Sequence, residues 1–281
     1  MQGVFVICAF FSIFALGVIT VFLFANGLPF MVEIGVGNFL FGTVWHPTGD
    51  VPQYGILPMI VGSLYVTALS VVLGVTLGLF TAVCLFKFVP KWLATPVRHM
   101  INLLAGIPSV IFGMIGLNVI VPFLRDYVSP NGVGYGMLAA ALVLSVMILP
   151  TIVRSVEESL LSVPDGIRQG SYALGAGKVR TIFKVVLPSC AGGIVTAIIL
   201  AVGRVVSESA VLLLTVGMVV NKMPSSMMSP GTSLALDIYY FANFGYPDEA
   251  AATSVVLIVF VLLINLAAVV VGKLIKRKTG E

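Results

Sequence analysis

Arg204 and Glu208 are the residues of this 281-residue chain whose type and place most demand a chemical explanation. They sit in Leu200-Ala-Val-Gly-Arg-Val-Val-Ser-Glu-Ser-Ala-Val-Leu-Leu-Leu214, in the middle of an apolar run long enough to cross a bilayer. A charge at the centre of a membrane helix costs at least about 2.5–3.5 kcal/mol on insertion scales, so such residues usually face an interior and serve function. Spaced i and i+4, they share one helix face and could pair directly. Two readings are open. In one, the pair neutralises itself and acts as glue between helices. In the other, Arg204 lines a water-filled path and attracts an oxyanion, because its planar fork of donors matches tetrahedral oxyanions. An ionised Glu208, flanked by Ser207 and Ser209, can only accept hydrogen bonds. It would repel a fully deprotonated anion but welcome a P–OH donor, which suits hydrogen phosphate better than sulfate.

No catalytic or metal-binding constellation accompanies them. His46 and His99 fall on opposite sides of the membrane in the orientation argued below, so they cannot form a metal site or a catalytic pair. The phosphate-cradling run Gly-x4-Gly-Lys-Ser/Thr is absent, so ATP would have to be handled by another chain. Glu157 and Glu158 read as solvated charges at a helix end. The three cysteines, Cys8, Cys84 and Cys190, are odd in number and read as free thiols packed in apolar surroundings.

The elements that must position these residues are membrane helices. The chain is 59% hydrophobic and 9% charged, against about 25% charged residues in soluble domains. Spans need roughly 20 apolar residues, and six candidates stand out, at about 4–25, 57–86, 99–123, 134–153, 191–216 and 252–274. Pro108 and Pro122 are kink sites in the third. Gly74 and Gly78 in the second, and Gly106, Gly113 and Gly116 in the third, would let helix backbones approach closely. The first span lacks a basic leader and is too long for a signal segment, so it reads as retained. The whole chain, 1–281, reads as one membrane domain.

Charge sets the expected orientation. Twelve of the 15 Lys and Arg lie in three stretches, 87–98, 154–184 and 273–278, all on one side of the six spans. That side should be cytoplasmic, with both termini inside. The opposite loops hold only Arg125 and Lys222 as bases, and the basic balance is this asymmetry rather than a sign of nucleic-acid binding. The middle of the outer loop 26–58, residues 38–45, could form an interfacial segment with Trp45 at headgroup level, and the outer loop around Pro224 and Pro230 is long enough for a short helix or re-entrant turn.

Between the fourth and fifth spans runs a polar, basic stretch, residues 154–190. Within it, Gln169-Gly-Ser171 is followed by Gly175 six positions after Gln169, then Val185, Leu187 and Pro188. This spacing resembles the coupling loop of ABC-importer permeases, Glu-Ala-Ala, three residues, Gly, nine residues, Ile-x-Leu-Pro. It departs in Gln169 for Glu, Gly170 and Ser171 for Ala-Ala, and Val185 for Ile. The resemblance implies an all-α membrane protein of six helices with the type I, MetI-like permease fold. It further implies that Gln169, Gly170, Ser171, Gly175, Leu187 and Pro188 form the contact with a separate ATPase. A short helix over 161–173, with Pro164 near its start, is expected to dock there.

A second resemblance narrows the family. Gly203-Arg-Val-Val-Ser-Glu208 is similar to the Gly-Arg-x-x-Gly-Glu motif of phosphate-importer permeases, with Ser207 in place of Gly. Leu103-Leu-Ala-Gly-Ile-Pro-Ser-Val-Ile-Phe-Gly-Met-Ile-Gly116, Phe39–Trp45 and Gly55–Ser63 resemble the PstC-type subunit rather than its PstA-type partner. The similarity runs over roughly residues 38–270. It implies a multi-pass permease of a prokaryotic cytoplasmic membrane that passes phosphate by Arg204, Ser207, Glu208 and Ser109. It also implies a PstA-type second permease, a dimer of ATP-binding subunits that hold ATP and Mg, and an extracytoplasmic phosphate-binding protein. This chain itself would hold no cofactor or metal. Pro108 is either an ordinary kink or a broken turn that exposes backbone amides and the Ser109 hydroxyl to the anion. A permease for sulfate, molybdate or tungstate is the near alternative, and an ion-coupled secondary anion transporter the more distant one.

Overall fold

The computed structural model describes residues 2–47, 50–129, 131–220 and 223–279, the side chains of 2, 271 and 273–279 excepted. Lys222 therefore lies outside the described residues, as do the basic side chains at 273 and 276–278. The chain begins with α1 (Gln2–Ile34) and the short α2 (Val36–Phe41), then a two-stranded hairpin of β1 (Trp45–His46) and β2 (Gln53–Tyr54). Next come α3 (Leu57–Val83), α4 (Lys91–Ala105), α5 (Ser109–Ile115), α6 (Val121–Tyr127) and α7 (Met137–Ser162). Then follow α8 (Asp165–Ala173), α9 (Lys178–Thr181), α10 (Leu187–Ser189), α11 (Ala191–Val206), α12 (Ala210–Thr215), α13 (Leu234–Asn243) and α14 (Pro247–Thr279). π-helical turns continue α3 (Cys84–Phe88), join α5 to α6 (Gly116–Ile120) and join α9 to α10 (Ile182–Val186).

Among the described residues, five helices are long and apolar enough to cross a membrane, or six if the bent pair Lys178–Ser189 and Ala191–Val206 counts as one. The third span, expected unbroken over 99–123, is two pieces. α4 stops at Ala105, and Pro108, extended at φ −58 and ψ 143, starts α5. Proline has no N–H to give and drives the preceding residue away from helical backbone, so the helix cannot run through Ile107–Pro108. The fourth span runs on to Ser162, well past the expected 153. Leu161 and Ser162 thus belong to α7, and the helix expected over 161–173 is only Asp165–Ala173, because Val163 and Pro164 are extended. The fifth span, expected over 191–216, breaks at Ser207–Ser209.

α7 is the axis of the bundle. Leu144, Met147, Ile148, Ile152 and Val156 are buried along it, against α3 on one side and Ala197, Ala201 and Val205 of α11 on another. Lipid supplies no hydrophobic drive for helices to associate, so close backbone approach through small residues must supply the packing. A Cβ at Gly74 would sit 2.5 Å from Ile148 Cδ1, and one at Gly78 would sit 2.7 Å from Ile152 Cγ2. α1 lies against α14 through Gly27, where a Cβ would be 2.7 Å from the Ala251 carbonyl oxygen. Most of its remaining apolar side chains are exposed.

At the end opposite α8, the hairpin and α13 close the bundle. Trp45 stacks on Phe241 with ring centroids 4.4 Å apart and meets Tyr54 edge-on at 5.5 Å. The segment before α13 plugs onto the start of α3: the Leu234 N–H donates to Ser63 Oγ, and Gly62 leaves no room for a Cβ beneath the Thr232 carbonyl. Asp237, in the first turn of α13 and outside the spanning helices, is fully buried there. Thr232 Oγ1 donates to its Oδ2 at 2.7 Å, and Oδ1 has no partner among the described residues.

Burial pushes the Asp237 carboxyl up to about 8, with the Thr232 hydrogen bond opposing. An unfolded Asp titrates near 4. Between about pH 4 and pH 8 the folded chain therefore holds a proton that the unfolded chain has lost, and stability falls as pH rises through that window. Asp237→Asn keeps an acceptor for Thr232 and removes the titration, so it should flatten the decline. Thermal melts in detergent at pH 5 and pH 8.5 measure this. An undiminished difference between the two in the variant would contradict the assignment.

Candidate functional site

Two breaks in the spans meet in the bundle. Gly113 of α5 packs against α12 so closely that a Cβ there would lie 3.2 Å from the Ala210 carbonyl oxygen and 3.2 Å from Val211 Cα. Gly116 plays the same part against Thr215 and Val143, with Cβ distances of 2.6 Å. Val110, next to Ser109 at the start of α5, shares a cavity of about 320 Å³ with Ser209, Ala210, Leu213, Leu214 and Tyr239. The residues flanking the two breaks, Val110 and Ser209, therefore line one cavity, while Ser109, Arg204, Ser207 and Glu208 do not line it.

Arg204 lies in the last turn of α11, exposed on this chain, and forms no ion pair among the described residues. It is also the only Lys or Arg between 185 and 221. Glu208 does not pair with it. The expected i, i+4 geometry fails because Ser207 (φ −86, ψ 0) and Ser209 (φ −117, ψ −36) leave the regular helix between them. Glu208 Oε1 instead accepts from the N–H groups of Ala210 at 3.0 Å and Val211 at 3.2 Å, closing the open start of α12. That leaves Oε2 without a described partner. Ser207 Oγ donates to the Gly203 carbonyl at 2.9 Å, satisfying the end of α11. Ser109 is half-buried as the first residue of α5. Of the two readings the sequence left open, a direct Arg204–Glu208 pair is not formed among the described residues, and the Glu208 carboxylate serves the backbone instead.

The second group of candidates gathers at the basic end. α8 buries none of its residues, and Gln169 is exposed on it. Gly170, Ser171 and Gly175 line a surface recess of about 470 Å³ with Ile167, Leu174, Arg180 and Val185. Leu187 and Pro188 stand apart from that recess in α10, with Pro188 in its first turn. Gly175 has φ +81, a left-handed turn that a side chain would strain, although nothing lies within 4 Å of a Cβ there. Leu174 beside it is 90% exposed, an apolar side chain offered outward.

Two contacts that sequence reasoning missed fix α8 to the bundle. The Arg168 guanidinium lies over the Phe86 ring, 5.3 Å from its centroid, and pairs with Asp165. The Ser171 and Thr181 hydroxyls are 2.9 Å apart, with Thr181 fully buried. Both contacts reach beside π-helical turns, Cys84–Phe88 and Ile182–Val186. No local pattern in the sequence points to the first, since Phe86 is 82 positions away. Glu157, read as solvated, is instead held by Arg98: Nη2 is 3.0 Å from Oε1, with the Glu157 side chain 15% exposed. No group of three or more His, Cys, Asp or Glu suited to a metal occurs among the described residues.

Comparison with known proteins gives this geometry a context. A family model described as binding-protein-dependent transport system inner membrane component matches residues 74–281. The chain is 41% identical over 212 residues to the probable ABC transporter permease protein YqgH of Bacillus subtilis (strain 168), covering 75% of this chain and 68% of that protein. It is 32% identical over 268 residues to the phosphate transport system permease protein PstC of Xylella fastidiosa (strain Temecula1 / ATCC 700964), covering 87% and 81%. Among solved structures, the MetNI methionine ABC transporter in an inward-facing conformation aligns with a TM-score of 0.64 at 26% identity, over 78% of this chain and 95% of that one. A bacterial transporter that imports the polysaccharide alginate aligns over 97% of this chain with a TM-score of 0.57 at 15% identity, a likeness of fold alone.

The Arg168–Phe86 contact can be tested without any partner. A cation–π contact at a partly exposed site contributes about 0.5–1 kcal/mol, so Phe86→Leu should speed amide exchange in α8 about two- to five-fold and leave α7 unchanged. Hydrogen exchange read by mass spectrometry measures both. Equal exchange in α8 before and after the change would show that Phe86 does not hold it.

Proposed function

As this chain belongs to the family of binding-protein-dependent transport system inner membrane components, with the MetI-like fold of ABC-importer permeases, we propose that it is the PstC-type permease subunit of a phosphate importer. The observation that carries the reading is Arg204: a guanidinium without a described partner at the end of α11, where the span is broken. Relatives named for phosphate transport, similar over most of the chain, support the choice of anion.

On this reading the basic end faces the cytoplasm, because Lys and Arg are retained on that side. Phosphate arrives from an extracytoplasmic binding protein and meets Arg204 as a bidentate donor. Glu208, with Oε1 engaged by α12, keeps Oε2 to accept from a P–OH group. A fully deprotonated divalent oxyanion such as sulfate would meet only repulsion there. The Ser109 hydroxyl and the start of α5 complete the lining. A PstA-type permease supplies the other half of the path. Two ATP-binding subunits, which hold ATP and Mg, seat against α8 through Gln169, Gly170 and Ser171, with Leu174 filling a groove. Gly175 allows the turn that presents them, and Leu187 and Pro188 set the angle at which the fifth span leaves. Closure of the ATPase pair moves α8, and α8 moves the bundle through Phe86 and Thr181.

Arg204→Gln keeps the length and some hydrogen bonding but deletes the charge. A hydrogen bond to a charged group contributes about 1.5–3 kcal/mol, so the apparent affinity for phosphate in uptake assays should fall about 10- to 150-fold while the complex still assembles. Glu208→Gln retains a capping oxygen, so the double variant Arg204→Gln/Glu208→Gln should also assemble and fail to transport. Near-normal uptake by the double variant would mean that the two residues only neutralise each other, and would overturn the anion path.

A further inference from the structure

At the basic end, the last turns of α7 and the facing stretch of α4 enclose a recess of about 420 Å³ lined by Arg98, Ile101, Asn102, Arg154, Glu157 and Glu158. It takes no part in the anion path or in α8. Two of its four charges are already spent: Arg98 pairs with Glu157 and also donates to the Leu85 carbonyl at 3.0 Å. Arg154 uses only Nε, which donates to Asn102 Oδ1 at 2.9 Å. That bond orients the guanidinium and leaves Nη1, Nη2 and the Asn102 amide nitrogen as donors. Glu158 is exposed and has no partner among the described residues. The recess thus offers one oriented cationic fork and one free carboxylate, side by side on the same helix face at i and i+4.

Its depth is set by helix length. α7 has 26 residues. At a rise of 1.5 Å per residue, Arg154 is about 26 Å and Glu158 about 32 Å from the start of the helix. With a hydrocarbon core about 30 Å thick, the two residues straddle its edge. The surroundings fit that level. Leu103, which follows Asn102 on α4 toward the span, is 73% exposed.

We propose that this recess seats the headgroup of a zwitterionic, primary-amine phospholipid, with its phosphate on Arg154 and Asn102, its ammonium on Glu158 and its acyl chains along Leu103. Charge complementarity selects this occupant. An anionic phospholipid satisfies Arg154 but faces the Glu158 carboxylate without a counter-charge. A quaternary choline headgroup has no N–H to donate to it. Inorganic phosphate lacks both the ammonium and the chains. The bound lipid would fill the joint between α4 and α7, next to the break that frees α5.

The test uses the intact transporter in nanodiscs of phosphatidylethanolamine, phosphatidylcholine or phosphatidylglycerol, with retained lipid counted by native mass spectrometry. The wild-type protein should retain phosphatidylethanolamine at least tenfold better than either of the others, and millimolar inorganic phosphate should not displace it. Arg154→Gln should abolish that retention, and Arg154→Lys should keep part of it. Glu158→Gln should reverse the preference toward phosphatidylglycerol, a gain that misfolding cannot imitate. Equal retention of the three lipids by the wild type, an unchanged preference in Glu158→Gln, or displacement by inorganic phosphate would overturn the proposal. So would a cross-link showing the second permease seated over Glu158.

Discussion

Inside hydrocarbon, a backbone N–H or carbonyl without a partner costs several kcal/mol, and this confines spanning segments to helices whose own groups satisfy one another. The fifth span nevertheless ends at Val206 and restarts at Ala210. It can do so because two side chains supply what the helix loses: Ser207 donates to the Gly203 carbonyl, and Glu208 accepts from the Ala210 and Val211 N–H groups. The consequence for chemistry is indirect. Since Glu208 is engaged with the backbone, Arg204 forms no salt bridge among the described residues. A continuous helix would have stacked the two residues and closed the site on itself.

The break is tolerable only because the surrounding packing is rigid. α12 is six residues long and has too few internal hydrogen bonds to hold its own orientation. Gly113 and Gly116 let the third span press directly on it, and α7 backs both from the other side. The third span is itself broken, at Pro108. Each broken span is thus steadied by an intact one, and the residues flanking the two gaps, Val110 and Ser209, line one cavity. At the opposite end of the same helices, α8 is joined to the π-helical turns through Phe86 and Thr181. An extra residue in a helical turn marks places where register can change at low cost, and such turns are frequent at functional positions.

The parts of this arrangement that were legible in the sequence are those set by local chemistry. Pro108 announces a break wherever it stands, and the glycines at 74, 78, 113 and 116 fall where helices meet. A lone Arg in an apolar run has few explanations. The break at 207–209 was harder. Ser-Glu-Ser is a sequence of capping residues, but a run of valines and leucines on either side reads as one helix by hydropathy, and i, i+4 spacing then suggests a pair. Charge at Arg154, Glu157 and Glu158 looks like the end of a span, whereas α7 runs on to include Leu161 and Ser162. The contacts of Arg98 with Glu157 and of Arg168 with Phe86 join residues 59 and 82 positions apart, and no local pattern encodes them. An Asp in a loop is ordinarily solvated, and only the tertiary plug at the head of α3 buries Asp237.

In the proposed function, the gap between α11 and α12 is part of the route taken by phosphate. Ser207→Cys, in the assembled transporter freed of Cys8, Cys84 and Cys190, places a thiol one turn from Arg204 without touching either charge. Its rate of modification by a small, charged thiosulfonate reports access to the gap. Millimolar phosphate should slow this modification severalfold, and equal sulfate should not. A thiol that reacts at the same rate with and without phosphate, or that is protected equally by sulfate, would contradict it.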